Sequence, residues 1–432
     1  MFDSNIAIAI LLCSFFIFVI IKVPITFALA GSTMLTMFYV HIPLMSLIQQ
    51  MAKSINSFSL MAIPFFILAG EIMGEGGISQ RMVNFANVCV GRWRGGLAQV
   101  NCLDSMFFGG ISGSAVADVS SLGSIMIPMM KKSGYDDDFA VAITFTSSCQ
   151  GVLIPPSHNM IMYSLAAGGV SVGRLFLGGF VPGVMVGISL MIVCGVISAK
   201  RHYPKGSGYS WRQALHITKD AFLALFTAVI IMGGVSLGIF TATESAAIAC
   251  LYAFFISVFV YKDLKIAQMP KILMNTTKTL AMVYSLIAAA GAFGWLLAYL
   301  RVPTIVTNGL LAISDNKIVI LLLINIMLLI LGCIMDMAPL ILITTPILLP
   351  VVTRFGMDPV QFGVMLILNL AIGLCTPPVG SALFVGCSIG QIKVERVVKA
   401  MLPMYAGMIV VLMLITFIPE ITMAVPNWIM GA

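Results

Sequence analysis

The sequence predicts an all-α polytopic membrane protein, an inverted repeat with two re-entrant helical hairpins and two broken helices. Three observations carry that prediction. The 432 residues are 60% hydrophobic and only 9% charged, whereas soluble domains are about 45–50% apolar and about 25% charged. Apolar runs of spanning length recur along the chain. The later part repeats a glycine and proline pattern of the earlier part, Gly110 and Gly332 marking the offset of 222. This composition excludes a soluble enzyme, a nucleic-acid-binding domain and a disordered chain. The net charge of +7 reads as the basic excess of cytoplasmic loops.

The elements follow in order. The N-terminus carries Asp3 before its apolar run and Lys22 after it. A signal peptide has the opposite charge order, so a retained first span with its N-terminus outside is expected. Spans are read near 5–21, 24–40, 58–74, 138–168, 175–198, 221–240, 244–260, 279–300, 359–390 and 400–419. Two further apolar stretches, 97–130 and 317–350, are broken in the middle by Gly109-Gly110-Ile111-Ser112-Gly113-Ser114 and by Gly332 to Pro339. Arms of about 15 residues cover about 22 Å, short of a core about 30 Å thick. Both stretches are therefore read as hairpins whose tips face an internal site, where irregular backbone is tolerable. The segment 203–219, with Trp211, Arg212, His216 and Lys219, reads as a helix on the cytoplasmic surface. The domain reading is scaffold spans over 1–57 and a first repeat over 58–198 with its broken helix at 138–168. A surface helix and scaffold spans follow over 199–278, then a second repeat over 279–432 with its broken helix at 359–390.

Charge tests this threading. The predicted cytoplasmic segments hold 18 basic residues, among them Lys22, Arg81, Lys131, Arg201, Lys262 and Arg396. Lys53, Arg174, Arg301, Lys317 and Arg354 are outside, and the two sets make up all 23 Lys and Arg. The skew follows the positive-inside rule and places both termini outside, the two hairpins entering from opposite sides.

Over 110–174 the 222-residue offset gives 11 identities, seven of them Gly or Pro, including Pro128 on Pro350, Gly151 on Gly373, and Pro155-Pro156 on Pro377-Pro378. Residues that fix backbone shape weigh more than a bare count. An inverted repeat with broken helices is an architecture of secondary transporters.

Each hairpin is followed by a helix carrying Pro-Pro. Proline has no N–H and clashes with the carbonyl four residues back, so Pro155 and Pro156 should free the carbonyls of Gly151 and Val152, and Pro377 and Pro378 those of Gly373 and Leu374. Such carbonyls suit sodium; a kink satisfied by Ser, Thr or water is the plainer reading. The tip Gly110 to Ser114 lets N–H groups and hydroxyls approach a carboxylate ligand, or simply lets helices pack closely. Of the carboxylates in apolar stretches, Glu71, Asp104, Asp118, Glu244 and Asp336, Asp336 is sharpest because it sits at the second tip. Glu71 and Glu244 fit snorkelling or capping equally, and Asp118 fits bracing its hairpin. His158 is read as a packed histidine or a substrate ligand, Arg301 as an interface anchor or a carboxylate contact. Asp136, Asp137 and Asp138 are expected to cap the next helix. The nine cysteines read as small buried hydrophobes, with no C-x-x-C pair.

The segments GGISGSAVADVSSLGSIMIPMMKKSGYD, QGVLIPPSHNMIMYS, GIFTATESAA and GLCTPPVGSALFV resemble the large membrane subunit of TRAP transporters, the DctM/SiaM family, over essentially the whole chain, and are most similar to its sialic-acid branch. The resemblance implies a sodium-driven importer of organic acids in a bacterial inner membrane, with Na+ as coupling ion and no other cofactor. Its partners would be a periplasmic substrate-binding protein, a smaller membrane subunit on a separate chain, and the lipid bilayer, with no nucleic acid. It also implies an elevator motion, as in related ion transporters. Carried onto this sequence, the ion and substrate region is Ser112 to Ser114, Gly151 to Ser157, Asp336 to Ala338 and Gly373 to Gly380. Together with the residues read above, the candidate ion set is Gly110, Ser112, Ser114, Gly151, Val152, Pro155, Ser157, Asp336, Met337, Gly373, Leu374, Thr376 and Gly380. The substrate set is Ser112, Gly113, Ser114, His158, Arg301, Asp336 and Ala338.

The competing readings are a same-fold carboxylate transporter that needs no binding protein, an intramembrane enzyme, a channel and a primary pump. The four histidines form no H-E-x-x-H, and neither G-x-S-x-G nor a P-loop occurs. A channel would leave two opposed Pro-Pro breaks unexplained.

Overall fold

The computed structural model describes residues 3–113, 115–206, 208–377 and 381–431. Among these all regular secondary structure is helical, with no strand longer than the isolated bridge between Arg94 and Lys205. Eight helical segments are long and apolar enough to cross a membrane. This is an all-α, multi-pass membrane protein.

The chain opens with α1 (Ser4–Ile20) and α2 (Ile25–Val40), a tight antiparallel pair, then α3 (Met45–Ile55), α4 (Ala62–Glu75) and α5 (Ile78–Val90). The first hairpin is α6 (Gly96–Ser112) and α7 (Ala115–Lys132). The first broken helix is α8 (Asp137–Ser148), a 3-10 turn Cys149–Val152, a non-helical stretch, and α9 (His158–Ala166). Next come α10 (Val172–Lys200), α11 (Trp211–Ser236), α12 (Ala242–Phe255), α13 (Met269–Tyr299) and α14 (Val302–Ile313). The second hairpin is α15 (Lys317–Ile334) and α16 (Met337–Arg354), and the second broken helix is α17 (Pro359–Leu374) and α18 (Ser381–Gly390). The chain closes with α19 (Val394–Phe417) and α20 (Pro419–Met430).

The half-helices α8 and α17 occupy the centre. Every residue of α8 from Phe139 to Ser148, and of α17 from Val360 to Leu374, is buried. Helices apolar or small all round belong inside a bundle. Around them pack α6, α7, α15, α16, α18 and α19. At the periphery α4 lies on α12, and α13 runs across α2, α3 and α4.

Three sequence expectations change. First, Trp211 opens a continuous 26-residue helix, so 203–219 is not a separate surface helix. Ser210 and Gln213 form a reciprocal capping box at its start, and nothing between 211 and 221 stops the helix. Secondly, each hairpin arm is 17 or 18 residues long rather than about 15, so arm length alone does not separate a re-entrant arm from a crossing one. Thirdly, Asp136 stands at the N-cap of α8 but makes no capping bond there. It accepts instead from Tyr203 Oη at 2.6 Å and Arg201 Nη1 at 2.8 Å. Glu244, by contrast, caps α12 by bonding back to Thr241.

The Tyr203 hydroxyl first, and then Arg201, hold the Asp136 carboxyl below its ordinary value, outweighing its slight desolvation. A lowered carboxyl stabilises the fold above the ordinary value of about 3.9, and that contribution is lost as pH falls through the folded value. Asp136→Asn should therefore melt below the parent at pH 7, with the gap narrowing as the pH drops below about 4. A gap independent of pH would remove the carboxylate from this account.

Candidate transport site

The site is built where each hairpin crosses the broken helix that follows it. A side-chain carbon added at Gly109 would lie 2.2 Å from the Gly151 Cα, and one at Gly373 would lie 2.6 Å from the Gly332 Cα. Backbones therefore touch backbones at both crossings, as only glycine permits. Gly151 and Gly373 are partners under the 222-residue offset, and Gly109 and Gly332 differ from it by one residue. The repeat read in sequence recurs as paired contacts in space.

Polar contacts back up each crossing. Between α6 and α8, Asn101 Nδ2 donates to Thr144 Oγ1 at 2.6 Å, and Ser105 Oγ donates to Ser147 Oγ at 3.0 Å. Between α15 and α17, Asn369 Nδ2 donates to Asn325 Oδ1 at 2.9 Å. Ser147 and Asn369 are again 222 apart.

At the first break, Gly113 turns the hairpin in left-handed backbone, φ 59°. A side chain there would strike the Pro156 carbonyl at 2.7 Å and would lie 3.3 Å from the His158 nitrogen. Asn159 Nδ2 donates to the Gly113 carbonyl at 3.3 Å. The structure thus joins Gly113, Ser157 and His158, residues drawn from two separate stretches of sequence. Among the described residues, no hydrogen bond reaches the Gly151 or Val152 carbonyl. The Ser157 hydroxyl is buried and likewise unpartnered.

The second break differs. The Gly373 carbonyl accepts from the Thr376 N–H at 2.8 Å, and Thr376 Oγ1 donates to the Ile372 carbonyl at 2.9 Å. Pro377 therefore does not leave Gly373 bare. Asp336 is the exposed N-cap residue of α16, Met337 is buried and Ala338 is half-buried beside it. Arg301 is exposed at the turn between α13 and α14 in left-handed backbone, and among the described residues no hydrogen bond joins it to either break. Ser114 and Gly380 lie outside the described residues, as do Gly110 and Ser112 beyond their place in α6.

Sequence reading under-weighted Asp104 and Asp118. Their exposures are 0% and 1%; among the described residues Asp104 has no hydrogen-bond partner, and Asp118 has only the Ser105 hydroxyl facing it. Asp118 reaches the first break, its Oδ2 lying 3.8 Å from where a Gly151 side chain would begin. The available signal was the charge itself, placed inside an apolar stretch.

Comparison with known proteins decides the family. Residues 12–421 match the model of the tripartite ATP-independent periplasmic transporter, DctM component. The chain belongs to the DctM family. Among its curated relatives, an uncharacterized protein YgiK of Salmonella typhimurium is 41% identical over 99% of this chain and 98% of its own. The sialic acid TRAP transporter large permease protein SiaM of Vibrio cholerae is 41% identical, covering 89% of this chain and 90% of its own. The C4-dicarboxylate TRAP transporter large permease protein DctM of Rhodobacter capsulatus is 37% identical, covering 94% and 95%. The YdaH transporter of Alcanivorax borkumensis shares the fold at 14% identity, with a TM-score of 0.67 over 90% of each chain. SiaM and DctM are named as TRAP transporter large permeases, and this DctM-family chain is a large permease, not an enzyme.

Proposed function

We propose that this permease is the translocation subunit of a sodium-coupled importer of an organic acid in a bacterial inner membrane. A periplasmic binding protein would deliver the substrate, and a smaller membrane subunit would complete the complex. Both termini would be periplasmic, with the hairpins entering from opposite faces. The carrying observation is the first break. Among the described residues it has two carbonyls and a Ser157 hydroxyl without hydrogen-bond partners, and the Asp118 carboxylate lies close by. Oxygen ligands and one negative charge are what a hard monovalent cation needs. Asp336, Met337 and Ala338 at the second tip, with Leu374 and Thr376, form the matching region of the other repeat. The glycine tip and the backbone of His158 suit a substrate carboxylate.

The elevator reading has its own support. A crevice of about 220 Å³ lies between α13, α3, α9 and α16, and α13 lines it with the small residues Ala290, Gly291 and Gly294. Such a face offers little side-chain interlock to a sliding neighbour. Among substrates, sialic acid is preferred and a C4-dicarboxylate is the alternative, since relatives named for both cover most of the chain. A carboxylate transporter of the same fold that needs no binding protein is the competing mechanism.

The test is uptake into proteoliposomes holding this permease with its small subunit, with and without the cognate binding protein. Uptake of sialic acid should require both an inward sodium gradient and the binding protein. Indifference to both would overturn the proposal, and need for sodium alone would select the competitor. In the same assay Asp336→Ala should lose at least about tenfold in uptake while the protein elutes and melts as the parent does. Unchanged uptake would take Asp336 out of the site.

A further inference from the structure

The turn between α5 and α6 meets the loop between α10 and α11 through backbone. Arg94 and Lys205 pair there as an isolated antiparallel bridge, and the Gly95 N–H donates to the Pro204 carbonyl at 3.2 Å. Glycine fixes the approach, since a side chain at Gly206 would lie 2.2 Å from the Gly91 carbonyl. Residues directly opposed on an antiparallel pair hold their side chains about 5 Å apart, where like charges repel. Here both residues are exposed cations, and among the described residues neither makes an ion pair. The fold therefore sets two positive charges face to face without a counter-charge.

Beside them lies a cavity of about 290 Å³. Lys205, Ser133 and Tyr135 give it a polar side, and Leu97 and Met129 an apolar one. Tyr135 is 4% exposed; its oxygen accepts from the Leu97 N–H at 3.3 Å, and among the described residues its own O–H meets no acceptor. The carboxylates that follow it, Asp136, Asp137 and Asp138, are held by Arg201 and Lys131. Trp93, next to Arg94 in the turn, is 54% exposed, and Trp211, at the start of α11, is 80% exposed. Exposed tryptophans sit at the level of lipid headgroups.

We propose that this pocket binds the headgroup of an anionic phospholipid, with the phosphate on Arg94 and Lys205 and the glycerol end against Leu97 and Met129. Arginine takes phosphate through paired N–H groups and lysine as a point charge. Basic pockets between membrane helices are where anionic headgroups bind. A free phosphate would satisfy the cations but would leave the apolar wall uncovered. Leu97 stands at the start of α6 and Met129 near the end of α7, so the lipid braces the foot of the first hairpin on both arms. Neither break contributes to the pocket, so the site does not depend on the proposed coupling ion or substrate.

The test titrates phosphatidylglycerol, phosphatidylcholine or glycerol 3-phosphate into the purified permease in neutral detergent. Bound lipid is counted by native mass spectrometry, and melting is followed in parallel. Phosphatidylglycerol should bind at least about tenfold more tightly than phosphatidylcholine and raise the melting temperature. Arg94→Gln combined with Lys205→Gln should lose that preference, yet melt no lower than the parent without lipid, because it removes a repulsion. Lys205→Gln alone, as a second variant, should lose at least about threefold in affinity. Lys278→Gln combined with Lys399→Gln removes the same charge from exposed positions elsewhere and should bind as the parent does. Parent-like binding by the Arg94 and Lys205 variants, or equal loss in the Lys278 and Lys399 pair, would overturn the proposal. So would phosphatidylcholine binding as tightly as phosphatidylglycerol, or glycerol 3-phosphate raising the melting temperature as far, which would make this a site for free phosphate.

Discussion

Gly109→Ala is expected to abolish transport and to destabilise the permease severely. The added carbon would stand 2.2 Å from the Gly151 Cα. The obstruction is backbone, so no rotamer change relieves it, and α6 must back away from the broken helix. Overpacking of this kind costs about 1–3 kcal/mol even where neighbours can adjust. Here retreat also strains the bonds from Asn101 to Thr144 and from Ser105 to Ser147. Gly373→Ala should behave alike, with 2.6 Å to the Gly332 Cα. Gly151→Ala should be milder, at 3.0 Å from the Gly109 Cα. Gly74 in α4 and Gly233 in α11 have open space around them, so alanine there should stabilise by up to about 1 kcal/mol. Melting of the purified protein and uptake in proteoliposomes would rank the five variants. A Gly109→Ala protein as stable and active as Gly233→Ala would refute the crossing.

Much of this architecture was legible because its makers are glycine and proline. Gly151, Pro155 and Pro156 dictate backbone shape locally, so their recurrence at Gly373, Pro377 and Pro378 could be read without knowing a single contact. The helices α3, α5, α14 and α20, at 11 to 13 residues, are too short to register as spans, and tertiary packing rather than hydropathy holds them. The basic residues Arg212 and Lys219, which make 203–219 read as a surface helix, lie inside the first turns of the continuous α11. Asp136 was read as a cap because the residues it bonds, Arg201 and Tyr203, come 65 and 67 positions later. Proline chemistry predicts free carbonyls at the first break, and among the described residues no hydrogen bond reaches those of Gly151 and Val152. At the second break the same rule failed for Gly373 because Thr376, a neighbour with an N–H to give, turns the chain back onto it.

Asp118→Asn should raise the sodium concentration for half-maximal uptake at least about tenfold, which corresponds to about 1.4 kcal/mol of lost ion affinity. The carboxylate is buried and aimed at Gly151, whose carbonyl and that of Val152 have no hydrogen-bond partner among the described residues. Asparagine keeps the shape and one acceptor oxygen and removes the charge, so the change isolates electrostatics from packing. Asp104 is the comparison, because it is equally buried, has no hydrogen-bond partner among the described residues and lies near enough to feel the Asp118 charge, but does not itself reach the first break. Two uncompensated carboxylates this deep in an apolar bundle are costly to hold, so either Asn variant should melt no lower than the parent. If a cation at the break is what offsets Asp118, only Asp118→Asn should shift the sodium dependence. Equal shifts in both variants would point to a charge effect of the pair as a whole, and no shift in Asp118→Asn would remove its carboxylate from the ion site.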